Sequence, residues 1–184
     1  MKHLLLNLTP DVVLDSYRTI RRRFRRPGPA MEAPQQVFSD IYANNKWGGE
    51  EGSFFSGDGT RDEAIYGPYV EALTRLAEER GFSSLTGVDL GCGDMTVGAR
   101  LAPLFGSYLG ADVVPEMIDA HRRHFADNDQ VDFRHLDIVA DELPDGDVCM
   151  IRQVLQHLSN GQIQQILAKL GKYSLVIFTE HLPL

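Results

Sequence analysis

Residues 88–96 read VDLGCGDMT, a stretch that decides the fold because it joins an apolar run to a helical pattern through Gly91 and Gly93. Backbone N–H groups at such a strand-to-helix turn usually favour an anion, since they lie at the positive end of the helix dipole. Here, however, an aspartate stands on either side of the glycines, Asp89 and Asp94. A dinucleotide-binding turn also has a third glycine three positions after the second, where this chain has a threonine. The pattern therefore argues against a pyrophosphate ligand.

The composition is that of an ordinary globular protein with an uneven charge. The chain has 184 residues and a formal net charge of −8, and six of its 18 basic residues lie between Arg18 and Arg26. The rest is strongly acidic and repels phosphates, so nucleic acid is not expected as the main partner. No apolar run approaches the ~20 residues of a membrane span, and the first ten residues lack the pattern of a secretory signal. With Cys92 and Cys149 in no metal or disulfide spacing, we expect a cytoplasmic protein with two buried thiols and no metal site.

The segment before the core combines a basic helix with a glycine-rich stretch. A helix is predicted from the candidate N-cap Thr9 to the break at Pro27, with arginines on one face. That face is either a solvated surface or a weak contact with an anionic membrane or RNA, and we favour the first. The stretch WGGEEGSFFSGDGT surrounds Trp47 and indicates either a lid anchored by this tryptophan or a mobile connection.

From residue 84 strand patterns alternate with helical patterns. The predicted strands are SLTGVDL, SYLGADVV, VDFRHLDI, DVCMIRQV and YSLVIFTEHL, and the helices between them are MTVGARLAPLF, PEMIDAHRRHFA and SNGQIQQILAKL. A further helix is predicted over residues 62–81, ending at Gly81. This alternation predicts an α/β fold, with a doubly wound parallel sheet covered by helices on both faces.

Acidic residues fall at the carboxyl ends of the predicted strands, where ligands bind in such a sheet. They are Asp89, Asp112, Asp137 and Glu180. Asp112 stands 21 residues after Gly91, the spacing at which an acid accepts hydrogen bonds from both hydroxyls of a ribose. The sequence therefore indicates an adenosine-like ligand.

The acids beside the glycines indicate a cation at the other end of this ligand. Carboxylates would repel a pyrophosphate but attract an ammonium or sulfonium in a partly dry cleft. Together these features describe S-adenosylmethionine, with Gly91 and Gly93 close to the methionine moiety and Asp89 accepting from its ammonium. Asp137 either accepts from the adenine amino group or caps a turn.

In this order the motifs resemble those of the class I S-adenosylmethionine-dependent methyltransferases. VDLGCGD resembles their first motif, GADVVPEMI the ribose-binding motif, RHLDI the adenine-binding stretch and DVCMIRQVLQHLS the fourth-strand segment. IYANNKWGG with SGDG resembles a bacterial branch with a tryptophan-glycine loop ahead of the core. The resemblance implies a Rossmann-like sheet with strand order 3-2-1-4-5. It divides the chain into an N-terminal helical and glycine-rich lid segment, residues 1–62, and an S-adenosylmethionine-binding α/β core, residues 63–184.

The expected site contains twelve cofactor-binding residues and one base. The cofactor-binding residues are Trp47, Asp89, Gly91, Cys92, Gly93, Asp94, Asp112, Val113, Asp137, Ile138, Arg152 and Gln153. Methyl transfer depends mainly on alignment and exclusion of water, although a hydroxyl acceptor needs a base. His157 is the candidate base, or else a structural histidine at a helix start, and His181 is second. His121 and His124 are expected on the surface.

We expect methyl transfer to a small-molecule or glycan-like acceptor, at a hydroxyl. The alternatives are a catalytically idle cofactor-binding or partner-binding domain, and a methyltransferase of RNA or protein. RQVLQHL stands where many base-nitrogen methyltransferases have an asparagine-proline or aspartate-proline pair.

The last predicted strand has no obvious neighbour on its outer side. The resemblance implies a further helix and strand pair, whereas the sequence stops at Leu184. An open apolar edge invites strand addition. We therefore expect a homodimer through this strand, a shortened form of a longer chain, or an edge supplied in another way.

Overall fold

The computed structural model of the chain describes residues 6–8, 34–48 and 54–180, which contain a six-stranded sheet. Its strands are β1 (Leu6–Leu8), β2 (Thr86–Leu90), β3 (Ser107–Asp112), β4 (Val131–His135), β5 (Val148–Arg152) and β6 (Leu175–Thr179). They lie in the order β1-β6-β5-β2-β3-β4, with β2 to β6 parallel and β1 antiparallel to β6. When the parallel strands β2 to β6 are numbered 1 to 5 along the chain, they lie in the order 3-2-1-4-5. The predicted doubly wound fold is therefore confirmed.

Helices cover both faces of the sheet. They are α1 (Pro34–Ala43), α2 (Asp58–Arg61), α3 (Glu63–Arg80), α4 (Gly98–Leu101), α5 (Pro115–His124) and α6 (Asn160–Lys169), with 3₁₀ turns at Phe82–Ser84, Ala102–Leu104, Leu155–His157 and Leu170–Lys172. The predicted ends of two helices are confirmed. Gly81 ends α3 in the left-handed conformation, φ 70°, and Ser159 begins α6 in a capping box with Gln162.

The core consists of two apolar clusters, one on each face of the sheet. On β5, Met150 belongs to the cluster beneath α3, whereas Cys149 and Ile151 belong to the cluster beneath α6. Alternate residues of this strand are therefore buried on opposite faces, as expected for a central parallel strand. Cys92 and Cys149 are free and buried, as predicted.

The helix predicted over residues 95–105 is much shorter than expected. Its α-helical part is only Gly98–Leu101 and then tightens into a 3₁₀ turn. Met95 has a left-handed backbone, φ 62°, and Pro103 interrupts the helical hydrogen bonds. The turn after β2 is consequently longer and more irregular than the pattern predicts.

The expectation that the outer edge of β6 is open is wrong, because β1 pairs with this edge. Leu6 pairs with Phe178, Asn7 with Ile177 and Leu8 with Val176. The N-terminal segment thus supplies the edge, and the argument for a homodimer through β6 no longer holds. The predicted helix from Thr9 with its arginine face, and His181, lie outside the described residues. Within those residues no helix is long and apolar enough to cross a membrane.

Candidate active site

The turn after β2 uses all of its backbone N–H groups within the chain. The amides of Gly91 and Cys92 both donate to the Ala111 carbonyl, and that of Gly93 donates to Asp112 Oδ2. The amide of Asp94 donates to Ser56 Oγ, that of Met95 to the Cys92 carbonyl and that of Thr96 to Asp94 Oδ1. Because every amide already has an acceptor, the turn offers no donors to a phosphate. This supports the sequence-based argument against a pyrophosphate.

Both glycines of the turn are required by its geometry. Gly91 has φ 82° and Gly93 has φ 56°, a region that side chains disfavour. A Cβ at Gly91 would collide with Val154, and one at Gly93 would lie 2.6 Å from Ser56 Oγ. The glycines therefore allow the segment containing Ser56 and the turn after β5 to approach closely.

His121 supports this turn from α5, so its expected surface position is wrong. Its Nε2 donates to the Gly93 carbonyl at 2.8 Å, and its ring lies 5.1 Å from that of Phe133. Met117 and Ile118, on the same helical face, are fully buried. Spacings of four and three residues could have placed His121 on this face. His124 is exposed, as predicted.

A cavity of about 280 Å³ lies at the carboxyl ends of the strands. It brings together all thirteen residues of the expected site: Trp47, Asp89, Gly91, Cys92, Gly93, Asp94, Asp112, Val113, Asp137, Ile138, Arg152, Gln153 and His157. Residues from α1 and the segment before α3 form the wall opposite the sheet. The cavity therefore lies between the core and the N-terminal segment.

Asp89 at the end of β2 is buried in the cavity wall. Tyr108 donates to its Oδ2 at 2.6 Å. Burial raises the pKa of Asp89 to about 6, although the bond from Tyr108 and the charge of Arg152 oppose the rise. A carboxylate in such surroundings is stabilised by a bound cation.

Asp112 and Asp137 each hold a turn and also line the cavity. Asp112 accepts from the amides of Gly93 and Val114, at 3.1 and 3.2 Å, and burial raises its pKa. Asp137 Oδ1 accepts from the amides of Val139 and Ala140, at 2.8 and 3.3 Å. A carboxylate has about four acceptor positions, so both side chains retain capacity for a ligand.

Asp94 connects the glycine turn to the N-terminal segment. Its Oδ2 accepts from the Ser56 amide at 2.9 Å and from Thr60 Oγ1 at 3.2 Å. In return its own amide donates to Ser56 Oγ at 2.8 Å, and Ser56 Oγ also bonds to the hydroxyl of Tyr42 at 2.8 Å. We call these residues, Tyr42, Ser56, Thr60 and Asp94, the latch.

The opposite side of the N-terminal segment is held by the end of β5. Arg152 donates to the Gly59 carbonyl at 2.6 Å, and its guanidinium lies 5.7 Å from the centre of the Tyr69 ring. Gln153 has a left-handed backbone, φ 55°, and its amide donates to the Thr179 carbonyl at 2.7 Å. Non-glycine residues in this conformation concentrate at functional sites.

His157 lies in an aromatic cluster at the cavity. Its ring centre is 5.8 Å from that of Phe38 and 5.4 Å from that of Trp47, and Trp47 is 5.4 Å from Tyr42. Burial lowers the pKa of His157. A neutral imidazole is therefore available as a proton acceptor near neutral pH.

Several cavity residues were missed by the sequence analysis. They are Phe38, Tyr42, Ser56, Thr60 and Tyr69. The segment SGDGT, with two residues of the latch, resembles any polar loop, so no local pattern identifies its contacts. Tyr69 falls on the buried side of α3 together with Leu73 and Ala77, and that helical spacing could have identified it as enclosed.

Glu180, an acid expected near the ligand, has a structural position instead. Its carboxylate accepts from the amides of Val154, Leu155 and Gln156, at 3.2, 2.9 and 3.3 Å. It therefore caps the 3₁₀ turn that carries His157, and it does not line the cavity.

Comparison with known proteins finds a methyltransferase domain in the chain. Residues 88–173 match the family described as a methyltransferase domain. No curated protein matches the sequence. The family match covers 86 of the 184 residues, and it supports the predicted resemblance to the class I S-adenosylmethionine-dependent methyltransferases. The activity class that it supports is that of a methyltransferase.

Solved structures share the fold at low sequence identity. Magnesium protoporphyrin IX methyltransferase from Synechocystis PCC 6803 superposes with TM-score 0.56 and 15% identity, over 78% of this chain and 72% of that one. The N-methyltransferase NodS from Bradyrhizobium japonicum WM9 gives 0.54 and 18%, over 64% and 68%. Phosphoethanolamine N-methyltransferase 1 from Haemonchus contortus gives 0.52 and 15%, over 94% of this chain but only 33% of that one. These likenesses show the fold and leave the acceptor open.

Proposed function

We propose that the chain transfers the methyl group of S-adenosylmethionine to a small-molecule acceptor, with a hydroxyl as the methylated group. The observation that carries the proposal is the single cavity that joins the glycine turn, Asp112 and Asp137 to His157. Its volume, about 280 Å³, is near the lower end of small-molecule sites, about 300 Å³. The wall formed by α1 limits access for a large acceptor.

The order of the strands supports a proposed position for each part of the cofactor. Asp89 on β2 would hold the methionine ammonium, Asp112 on β3 the ribose, and Asp137 after β4 the adenine amino group. The sulfonium methyl group would then point towards β5, where His157 lies. The three assignments are supported by the side chains at the carboxyl ends of neighbouring strands.

The N-terminal segment would act as the lid of this site. The latch ties it to the glycine turn, and Trp47 packs on His157. Closure by such a segment removes water from the transferring methyl group. The division between a lid within residues 1–62 and a core from residue 63 follows from this role.

Calorimetric titration with S-adenosylhomocysteine tests the cofactor assignment, with NAD as the control ligand. Asp112→Ala removes two hydrogen bonds to the ribose, each worth on the order of 1 kcal/mol net, so affinity should fall at least tenfold. Asp119→Ala, at an exposed position on α5, is the matched variant and should bind normally. Failure of the folded wild-type protein to bind S-adenosylhomocysteine would overturn the proposal.

The role of His157 is tested by the pH profile of methyl transfer, measured as release of S-adenosylhomocysteine with a panel of small hydroxyl compounds. Since burial lowers the pKa of His157, kcat/KM for the acceptor should rise with pH through an acidic limb below the usual 6.5. It is measured at saturating S-adenosylmethionine, so that protonation of Asp89 and weaker cofactor binding do not contribute to the limb. His157→Gln should remove this limb and lower kcat/KM by about 10² to 10⁴. His124→Gln, at an exposed site, should change neither. If the acidic limb of the kcat/KM profile is unchanged in His157→Gln, then His157 has only a structural role.

A further inference from the structure

The segment between β4 and β5 has no regular secondary structure, so its position depends on individual hydrogen bonds. Residues 136–147 contain neither a helix nor a strand. Three side chains at or just after the end of α6 donate to carbonyl groups of this segment, those of Lys169, Lys172 and Tyr173. Backbone carbonyls that are removed from water need such donors. The end of α6 therefore determines where the segment lies.

Lys169, the last residue of α6, binds the first part of this segment. Its Nζ donates to the carbonyls of Ile138, Val139 and Asp141, at 2.6, 3.0 and 2.7 Å. An ammonium has three donors, so all of them are used here. Burial lowers the pKa of Lys169, and the charges of Asp137 and Asp141 oppose this decrease. Lys169 thus holds three peptide groups of the segment at one point.

The three carbonyls belong to a closed turn, residues 137–141, which we call the β4 loop. The Asp141 amide donates to the Asp137 carbonyl at 2.8 Å, and the Asp137 amide donates to Asp141 Oδ2 at 2.9 Å. Asp137, Ile138 and Val139 line the cavity. A shift of the β4 loop would therefore move one wall of the cavity.

The helix from which Lys169 extends is firmly anchored. Its first turn is fixed by the capping box of Ser159, and near its end Ile166 and Leu170 are fully buried. A loop that is bound to such an element has a more precise position than a loop held only by its own bonds. Lys169 thereby transmits the position of α6 to the β4 loop.

We propose that Lys169 is a positioning residue that sets the selectivity of the site for the 6-amino group of adenine. The inference rests on the proposed function, in which Asp137 accepts from this amino group. Asp137 Oδ1 already accepts from two amides of the β4 loop, so the loop also fixes the direction of the other carboxylate oxygen. Because a hydrogen bond weakens steeply when its angle departs from linearity, Asp137 recognises the amino group only while Lys169 holds the loop.

The experiment compares S-adenosylhomocysteine with S-inosylhomocysteine, in which a carbonyl oxygen replaces the 6-amino group. Both are titrated by calorimetry into the wild-type protein, Lys169→Met and Lys172→Met. Methionine keeps an unbranched side chain of similar length and removes the ammonium. Lys172→Met is the matched control, because Lys172 donates to the Leu143 carbonyl at 2.8 Å and pairs with Asp145 at 2.6 Å, beyond the β4 loop.

The two variants should differ in selectivity, although both lose hydrogen bonds to the same segment. The wild type should bind S-adenosylhomocysteine at least about tenfold more tightly, since the inosyl analogue loses a hydrogen bond to a charged group and places an oxygen against the carboxylate. In Lys169→Met this preference should fall to within about threefold, whereas Lys172→Met should keep it. Urea denaturation of each protein measures the accompanying loss of stability, which both variants should show.

Chemical rescue of Lys169→Ala gives a second measurement, which also serves if Lys169→Met folds poorly. Propylammonium has the size of the missing part of the side chain and carries N–H donors. Tetramethylammonium at the same concentration has no N–H donors and controls for ionic strength. Propylammonium should restore the preference for S-adenosylhomocysteine in Lys169→Ala, and tetramethylammonium should not.

Wild-type selectivity in both Lys169 variants would overturn the role of Lys169 and leave the proposed function intact. An equal loss of selectivity in Lys172→Met would also overturn it, because the effect would then reflect the stability of the whole segment. A wild-type protein that binds neither ligand would instead overturn the proposed function. A wild-type protein that binds both equally would contradict the proposed position of adenine at Asp137, and the role of Lys169 with it.

Discussion

At the scale of single residues, Asp89 links the electrostatics of the site to pH. Its pKa is raised to about 6 by burial, so in the protein without bound cofactor the carboxyl group is protonated below that pH. A protonated Asp89 loses its attraction for the ammonium of the cofactor. Affinity should therefore be full above about pH 7 and fall as the pH drops through 6.

This pH dependence can be measured by titrating S-adenosylhomocysteine calorimetrically between pH 5 and 8. Below pH 6 the association constant should decrease by up to tenfold per unit, the limit for one linked proton. Asp89→Asn should bind weakly at every pH and show a flat profile. An equally steep profile in Asp89→Asn would assign the proton to another group, such as Asp112, whose pKa is also raised by burial.

His121 controls the shape of the glycine turn without lining the cavity. His121→Phe keeps an aromatic ring against Phe133 but leaves the partly buried Gly93 carbonyl without its donor. We expect the free energy of unfolding to fall by about 1 to 3 kcal/mol and cofactor affinity to fall with it. Urea denaturation and calorimetry measure the two effects, and His124→Phe is the control. Wild-type stability in His121→Phe would contradict a structural role for the bond.

Single residues also show what sequence reasoning can and cannot reach. Asp89, Asp112 and Asp137 were found because the end of a parallel strand is a local feature with a fixed position in the fold. His121 and Glu180 were misjudged because their partners, Gly93 and the turn at residues 154–156, are distant in sequence. A polar side chain gives no local sign of which distant backbone group it will satisfy.

At the scale of structural elements, the latch would determine how firmly the proposed lid is held. Ser56→Ala removes the oxygen that accepts from the Asp94 amide and bonds to Tyr42. Because a hydrogen bond contributes about 1 kcal/mol, release of S-adenosylhomocysteine should accelerate about fivefold. Trp47 is the only tryptophan, so stopped-flow fluorescence follows the lid directly.

Ser174→Ala, at an exposed position, is the matched control for this measurement and should release the ligand at the wild-type rate. Asp94→Ala removes all the carboxylate bonds of the latch and should have a larger effect than Ser56→Ala. Equal release rates in all four proteins would show that the lid does not limit exchange.

Helices and strands could be predicted where the residues that determine their ends are close together in the sequence. Ser159 and Gly81 set helix ends through contacts within a few residues, and both agree with the structure. The helix after β2 was overestimated because Met95 has a left-handed backbone and because the Asp94 amide donates to Ser56, a residue that is distant in sequence. The three residues of β1 are too few for a periodic pattern, and their pairing partner lies some 170 residues away.

At the scale of the whole molecule, β1 protects the edge of the sheet. Deleting residues 1–8 removes β1 and exposes the outer backbone groups of β6, whose residues are mostly buried. We expect concentration-dependent self-association, measured by sedimentation velocity. Deleting residues 1–5 leaves Leu6–Leu8 in place and should preserve the sedimentation behaviour of the full chain. A shorter protein with unchanged sedimentation would show that β6 tolerates an open edge.

The position of β1 would also affect the motion of the proposed lid. The lid lies in sequence between β1, at one edge of the sheet, and α3, so the elements on both sides of it belong to the same core. Opening is then the movement of a loop that stays attached at both ends. Because β1 and α3 hold these ends, the effective concentration of Ser56 near Asp94 remains high. Reclosure is accordingly a first-order event whose rate does not depend on protein concentration. Cutting the chain between β1 and α1 would leave the lid attached only through α3. The lid should then close more slowly and move farther from the cavity.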